Sequence, residues 1–147
     1  MREVFDMNIE YKDNVLTADD YLFFIEEMDE EETTKEQAEL TITNQVFSVS
    51  AVKDGTTVGM ARLLGDAAIF WLIVDVWVLP EYQGQGIGQA MVERLSRYIK
   101  ENAPKGYHAL YLMCAKGKEG FYEKLGFDCR PNAYEGSGME MEILVEV

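Results

Sequence analysis

Apolar and polar residues recur with two different periods along this chain, and each change of period marks an element. From Met7 to Tyr11 they alternate as in a short strand. Thr17-Ala18-Asp19-Asp20 then opens a helix with a capping-box-like start, and Tyr21, Leu22, Phe24, Ile25 and Met28 supply its apolar face. A second, more polar helix is expected from about Thr34 to Ala38. Alternation returns from Phe47 to Val52, breaks at Asp54-Gly55 and resumes from Thr57 to Leu64, which reads as a hairpin. Gly65-Asp66 turns the chain into a long apolar strand, Ile69 to Leu79. A helix from Gly88 to Glu101 carries Ile87, Met91, Leu95 and Tyr98 on one stripe, with Gln89, Glu93, Ser96 and Lys100 off it. Ala109 to Cys114 reads as a buried strand, Lys118 to Leu125 as a short helix closed by Gly126, and Met139 to Val145 as a final strand. Asn132 to Gly138 reads as a long mobile loop, and no repeat or low-complexity linker interrupts the pattern.

Length and composition narrow the picture. The 147 residues suit a single domain, 1–147, with a sizeable core, since 48% of them are apolar and spread throughout. No run of 18 uncharged apolar residues exists, and Met1-Arg2-Glu3 is not expected to open a signal peptide. Two cysteines, Cys114 and Cys129, and one histidine, His108, offer no metal-ligand spacing and no framework of bridges. The expectation is a cytoplasmic protein with reduced thiols and no metal. The formal charge is 13 − 27 = −14, and 14 of the 27 acids fall in residues 1–39, crowded at Glu26, Glu27, Asp29, Glu30, Glu31 and Glu32. Such a field disfavours nucleic acid and anionic membranes and favours cationic partners, although a solvated acidic face serves solubility equally well.

The most informative stretch joins the long strand to the helix after it: Gln83-Gly84-Gln85-Gly86-Ile87-Gly88, preceded by Pro80-Glu81-Tyr82. Glycines at alternate positions let backbone N–H groups wrap an anion at the positive end of a helix. That helix has no acid in its first turn, Glu93 being the earliest, while Arg94, Arg97 and Lys100 sit towards its C-terminal end. Two common phosphate loops do not fit. Gly88 is followed by Gln89 and Ala90, so the Gly-Lys-Ser/Thr ending of the nucleoside-triphosphate loop is missing. The spacing G-x-G-x-x-G/A fails too, because Gln89 or Met91 falls at its last place. The stretch closely resembles the cofactor motif of the GNAT N-acetyltransferase superfamily, Gln/Arg-x-x-Gly-x-Gly/Ala, in a denser form. About 30 residues on, Gly120-Phe121-Tyr122-Glu123-Lys124-Leu125-Gly126-Phe127 resembles a second segment of that family.

The order of elements is also that of the GNAT fold, so the resemblance covers nearly the whole chain. It implies an α/β (α+β) fold with a mixed, mostly antiparallel central sheet of six to seven strands, splayed in the middle and flanked by about four helices. It implies acetyl-CoA as cosubstrate, with the pyrophosphate on Gln83, Gly84, Gln85, Gly86, Ile87 and Gly88. In the family the strand before the loop splays from the next one, here Ala109–Cys114. The pantetheine arm lies along a segment that maps to Val76, Trp77 and Val78, pairing with the backbone of Val76 and Val78. The Val76 N–H then faces the thioester oxygen, where one donor is worth roughly 2.7–4 kcal/mol at the transition state. The Trp77 side chain is expected in packing. Tyr122 maps to the general acid that protonates the departing thiolate, a step uphill by about 2 kcal/mol between a phenol near 10 and a thiol near 8.5. The aromatic cluster of Phe121 and Phe127 would accommodate the same ring as plain packing. Lys118 is a candidate contact for a CoA phosphate. The asparagine that the family often carries upstream of the Phe-Tyr helix is missing from Ala115-Lys116-Gly117-Lys118.

Asp75 is the only charge between Ile69 and Pro80. A carboxylate in such a strand is costly to desolvate unless it is paired or lines a cavity. One reading makes it the group that binds a cationic amine or takes its proton through water, and polyamine acetyltransferases of the superfamily are similar in carrying an acid there. The other makes it an aspartate capped by local backbone or set on an edge, and a bulge would reverse which way it points. The glutamate that many members use as base earlier on this strand is replaced here by Trp71, Leu72 and Ile73. Phe23, Phe24, Glu26 and Glu27 are candidate walls of an acceptor pocket. Cys114, with no histidine partner, is expected in the core, and His108 on the surface.

The resemblance therefore implies an acetyl-CoA-dependent N-acetyltransferase working by direct attack in a ternary complex. Its acceptor is expected to be a small cationic amine such as a polyamine, arylalkylamine or aminoglycoside. The rival is an acyl-CoA-binding sensor or interaction module without turnover, with a lysine-directed protein acetyltransferase a lesser alternative. An enzyme acting on charged tRNA fits the charge poorly. Family members often form homodimers, but no sequence feature marks an interface.

Overall fold

The computed structural model describes residues 8–146 and divides into two compact units, Met1–Leu112 and Met113–Val147. Met7, at the start of the first expected strand, lies outside the described residues. In the first unit the elements run β1 (Glu10–Asp13), α1 (Ala18–Glu27), α2 (Lys35–Asn44), β2 (Phe47–Lys53), β3 (Thr56–Gly65), β4 (Phe70–Val78), a 3-10 turn (Pro80–Tyr82), α3 (Ile87–Asn102) and β5 (Ala109–Leu112). The second unit holds α4 (Glu119–Lys124).

Local chemistry explains the element ends. Thr17 and Thr34 each close a capping box, with Asp20 and Gln37 at the third helical position. The α2 helix runs on to Asn44, well past the expected Ala38, because Ala38 packs fully buried near its middle. Asp54 and Gly55 both take positive φ, the backbone of a two-residue hairpin turn. At the β3–β4 turn a single carboxylate oxygen of Asp66 accepts the N–H groups of Ala68, Ile69 and Phe70 at 2.8, 2.8 and 3.1 Å. These bonds hold the Asp66 carboxyl below its ordinary value.

The sheet has the order β1-β2-β3-β4-β5. The first three pairings are antiparallel, and β5 joins β4 in parallel, matching Phe70–Ile73 with Ala109–Leu112. One face packs on α3. Phe47 stacks on Tyr98 at 4.2 Å, and Met91 comes so close to Gly59 that an added Cβ would stand 3.3 Å from its methyl group. Buried Ile87, Met91, Val92, Leu95 and Ile99 form the helix stripe on that face. Register places Ser48 beside Arg62 and Met60 beside Trp77 on the opposite face, where Trp77 stacks on Phe24 and meets Tyr21 of α1 at a tilt.

Two expectations fail here. Five strands are present among the described residues, not six or seven, because Met139–Val145 forms no strand. Its alternating pattern is real, yet a strand exists only where a neighbour receives its hydrogen bonds. The expected strand Ala109–Cys114 stops at Leu112, so Cys114 is exposed and not in the core.

Candidate active site

The loop after β4 supplies donors and keeps the space in front of them clear. Gly84 and Gly86 sit at φ of 78° and 81°, in the left-handed region, and a Cβ on either would meet nothing within 4 Å. Gly86 is the N-cap of α3 and offers no side chain to it. The first main-chain bond into the helix runs from Ala90 N–H to Gly86 O at 3.0 Å. The N–H groups of Ile87, Gly88 and Gln89 therefore find no main-chain partner among the described residues. Gly88 lies inside the first turn, so of the three glycines only Gly84 and Gly86 provide the left-handed backbone. The first turn contains no acid and the last turn contains Lys100. Three aimed donors, open space and a positive helix end suit a pyrophosphate-sized anion. Gln85 Oε1 is buried here without a donor among the described residues.

Among the described residues the strand leading to this loop has an open edge: pairing with β5 ends at Ile73, and Val74–Val78 continue with a strand neighbour on the β3 side alone. Leu79 N–H donates to Val58 O on β3 at 2.9 Å. Alternation then turns the backbone groups of Val78 and Val76 towards the free edge. Gln83 Nε2 donates to Val78 O at 2.9 Å, and among the described residues no strand pairs with Val76 or Val78 on that side. Trp77 shows its ring to α1.

Asp75 sits where the ladder is broken. Met60 faces Trp77 and Arg62 faces Val74, so Asp75 and Val76 together oppose Ala61 in a β-bulge. Asp75 takes φ of 54°, an uncommon conformation for a residue with a Cβ. The bulge turns its carboxylate onto Arg62, whose Nε and Nη2 both donate to Oδ2, at 2.9 and 2.8 Å. Arg62 is 3% exposed; its guanidinium lies 4.9 Å over the Tyr21 ring and donates Nη1 to Thr41 O of α2 at 3.3 Å. Asp75 is thus an ion-paired carboxylate with one oxygen engaged. No donor reaches Oδ1 among the described residues. Burial, with the charge of Asp75 second, pushes the Tyr21 phenol up, and Glu30 of the α1–α2 loop adds to the shift. Arg62 went unread in the sequence, and Tyr21 was read there only as part of an apolar helix face. The signal was present: Arg62 is a lone charge in an apolar strand, and the Gly65-Asp66 turn folds it against the lone charge of the next.

In the second unit, Tyr122 lies in α4 and packs edge-to-face on Phe121 and Phe127, with centroids 4.9 and 5.8 Å away. Burial first, then Cys114, pushes its phenol above the ordinary 10.0. The group keeps its proton at neutral pH. Lys118 is the exposed N-cap of α4. Desolvation and the Glu119 carboxylate push the Cys114 thiol up, which lowers its thiolate fraction.

Other expectations are corrected. Phe24 is fully buried core, leaving Phe23 and the exposed Glu26 and Glu27 as candidate walls on α1. His108 is partly buried. Its Nδ1 accepts from Trp71 Nε1 at 3.1 Å, which makes Nε2 the protonated nitrogen, 2.7 Å from Pro104 O. The described residues contain no group of three or more His, Cys, Asp or Glu able to hold a metal.

The family model described as "Acetyltransferase (GNAT) family" matches residues 11–127, from β1 through the Tyr122 segment. The chain belongs to the GNAT acetyltransferase family. Its sequence is 39% identical over 79 residues to "GCN5-related N-acetyltransferase 2, chloroplastic" of Arabidopsis thaliana, covering 54% of this chain and 30% of that protein. It is 37% identical over 82 residues to "Serotonin N-acetyltransferase 2, chloroplastic" of Oryza sativa subsp. japonica, covering 56% and 40%. Both matches thus take in less than half of the relative's length. The structure is similar to that of a protein of unknown function from Meticillin-resistant Staphylococcus aureus described as a probable acetyltransferase. That likeness has a TM-score of 0.80 and 27% identity, and covers 92% of this chain and 99% of the other. The mixed sheet with its four helices is the α/β GNAT fold, and the GNAT family uses acetyl-CoA.

Proposed function

We propose that this GNAT protein transfers the acetyl group of acetyl-CoA to a primary amine by direct attack, and that the acceptor is small and cationic. One observation carries the reading. The backbone edge at Val76 and Val78, open among the described residues, leads into a loop whose N–H groups have no main-chain partner among them and suit an anion. A long cosubstrate with a pyrophosphate and an amide-bearing arm needs those two features in that order. Acetyl-CoA brings the activated acyl group. The chain's part is to hold the pyrophosphate on Gly84–Gln89, pair the arm along β4, and offer Val76 N–H to the thioester oxygen. Tyr122, protonated because its phenol is raised, supplies the proton to the leaving thiolate. Asp75 Oδ1 is the oxygen left to receive the amine or its proton through water, while Oδ2 stays with Arg62. Lys118 is assigned to a CoA phosphate on charge alone.

The acceptor class follows from charge. Glu26 and Glu27 occupy the last turn of α1 with no basic residue beside them, at the end where the helix dipole already disfavours anions. Asp29, Glu30, Glu31 and Glu32 follow immediately. A cationic amine relieves that repulsion. The name of the rice relative, a serotonin N-acetyltransferase, agrees with this class. A cytoplasmic location belongs to the same reading and rests on two free, exposed thiols. Among the described residues no helix is long and apolar enough to cross a membrane.

One observation favours a second reading, an acyl-CoA-binding module without turnover: the carboxylate proposed to receive the amine is already ion-paired. A panel of polyamines, arylalkylamines, aminoglycosides, amino sugars, lysine peptides and anionic amino acids separates the two. Acetyl-CoA-dependent thiol release with cationic small amines supports transfer. Binding of acetyl-CoA with no release supports the module, and equal turnover of anionic and cationic amines sinks the specificity.

A further inference from the structure

We propose that Arg62 is a positioning residue for acetyl transfer, setting through one bulge both the carboxylate that meets the amine and the N–H that meets the thioester. That role rests on the ones proposed above for Asp75 Oδ1 and Val76 N–H, and goes beyond them.

The Arg62 side chain is 4% exposed, and each of its nitrogens is engaged. Nε and Nη2 converge on Asp75 Oδ2 at 2.9 and 2.8 Å, while Nη1 donates to Thr41 O at 3.3 Å and reaches Gln45 Oε1 at 3.5 Å. A guanidinium fork ordinarily takes one carboxylate oxygen per nitrogen. Here two nitrogens share one oxygen, and Oδ1 stands clear, with no donor among the described residues. The Tyr21 ring covers the guanidinium at 4.9 Å, so α1, α2 and β4 all meet at this one side chain. Thr41 lies in the last turn of α2, which has no base of its own. Arg62 thus also brings a cation to a helix end that favours one.

The bulge carries this grip to the chemistry. Asp75 takes φ of 54°, which glycine would adopt without strain. A residue with a Cβ holds such a backbone only where its surroundings fix it, and the fork on Oδ2 supplies that hold. Val76 N–H belongs to the planar peptide that starts at the Asp75 carbonyl carbon. Turning Asp75 out of its left-handed conformation therefore swings Val76 N–H with it. One cation on β3 governs a donor and an acceptor on β4 without touching either substrate. Lysine replaces it only in part, because an ammonium keeps the charge but has no planar fork to hold Asp75 and Thr41 together.

The test compares wild type, Arg62→Lys, Asp75→Asn and their double variant in steady-state assays with each substrate varied. Val49→Ala, a deletion in the fully buried core, controls for lost stability alone. Magnetic resonance supplies a second readout, since the backbone coupling and carbon shifts of Asp75 report its φ without any substrate. Arg62→Lys, folded by far-UV circular dichroism, is expected to lose roughly tenfold or more in kcat while the KM for acetyl-CoA stays within about twofold. In it Asp75 is expected to leave the left-handed region. Val49→Ala is expected to melt earlier yet keep both kcat and that φ. The double variant should be about as slow as the slower single one, because both changes act through the same bulge. Arg62→Gln carries the same two readouts if the lysine variant does not fold. A folded Arg62 variant with wild-type kcat, an Asp75 φ that stays put, or losses that multiply in the double variant would each overturn the proposal. A wild type that acetylates no amine would contradict acetyl transfer itself, and the φ of Asp75 then still decides whether Arg62 holds the bulge.

Discussion

Asp75 and Arg62 show how single residues set this site. A bulge at Asp75 turns its carboxylate towards a guanidinium that also ties α2 and lies on the Tyr21 ring. Removing the guanidinium leaves a mostly buried carboxylate without its partner, a change that costs about 3–5 kcal/mol in comparable pairs. Arg62→Met is therefore expected to lower the denaturation midpoint sharply, whereas Arg62→Lys retains part of the stability. If Arg62→Met unfolds at the wild-type midpoint, the pair does not hold the bulge. Asp75→Asn keeps the shape but weakens the pairing, and is expected to reduce kcat for amine transfer more than it raises the KM for acetyl-CoA. Steady-state kinetics with each substrate varied separates the two effects. At Tyr122 the raised phenol sets a pH expectation. A general acid works while protonated, so activity that depends on Tyr122 persists to pH 10 and falls only beyond it.

At the scale of elements, the turn at Asp66 offers the clearest pH test. Its carboxyl is lowered by three backbone N–H donors. The stability it adds is complete above its ordinary value of 3.8 and is lost as the pH falls through the lower folded value. Asp66→Asn should thus melt earlier than wild type at pH 6, with the gap closing towards pH 2 in thermal denaturation series. A gap that stays constant would show that the carboxylate charge does not matter there. Elements were legible where a local signal existed. The capping box at Thr17, the Asp54-Gly55 hairpin and the stripe of α3 depend on neighbours within one turn of chain, whereas the second capping box, at Thr34, went unread. The left-handed turns at Gly84 and Gly86 were legible for the same reason, since backbone conformation of this kind is encoded by glycine spacing. What stayed hidden depended on pairing across the sheet. Arg62 and Tyr21 become a cluster with Asp75 only once β3, β4 and α1 come together, and the bulge has no single-residue signature. Cys114 and Met139–Val145 failed oppositely, with strand-like patterns lacking the neighbour that makes a strand.

For the whole molecule, the net charge of −14 acts on association more than on fold. If the acceptor is cationic, kcat/KM for it should fall as ionic strength rises from 0.01 to about 0.15 M, where screening shortens from roughly 30 to 8 Å. The KM for acetyl-CoA, an anion proposed to sit on backbone donors within the field of an acidic protein, should respond weakly or in the opposite sense. Stopped-flow or steady-state rates over a salt series check both at once, and a flat response for the amine would remove charge as its selector. The central claim is that this chain moves an acetyl group from acetyl-CoA to a cationic amine with Tyr122 as the acid. The most direct test is acetyl-CoA-dependent thiol release with a polyamine or arylalkylamine, run on wild type and Tyr122→Phe, with the acetylated amine identified by mass spectrometry. The account predicts stoichiometric acetyl-amine in wild type and a kcat roughly a hundredfold lower in the variant, with acetyl-CoA binding intact. Tight acetyl-CoA binding with no acetyl-amine formed, or a Tyr122→Phe variant as fast as wild type, would contradict it.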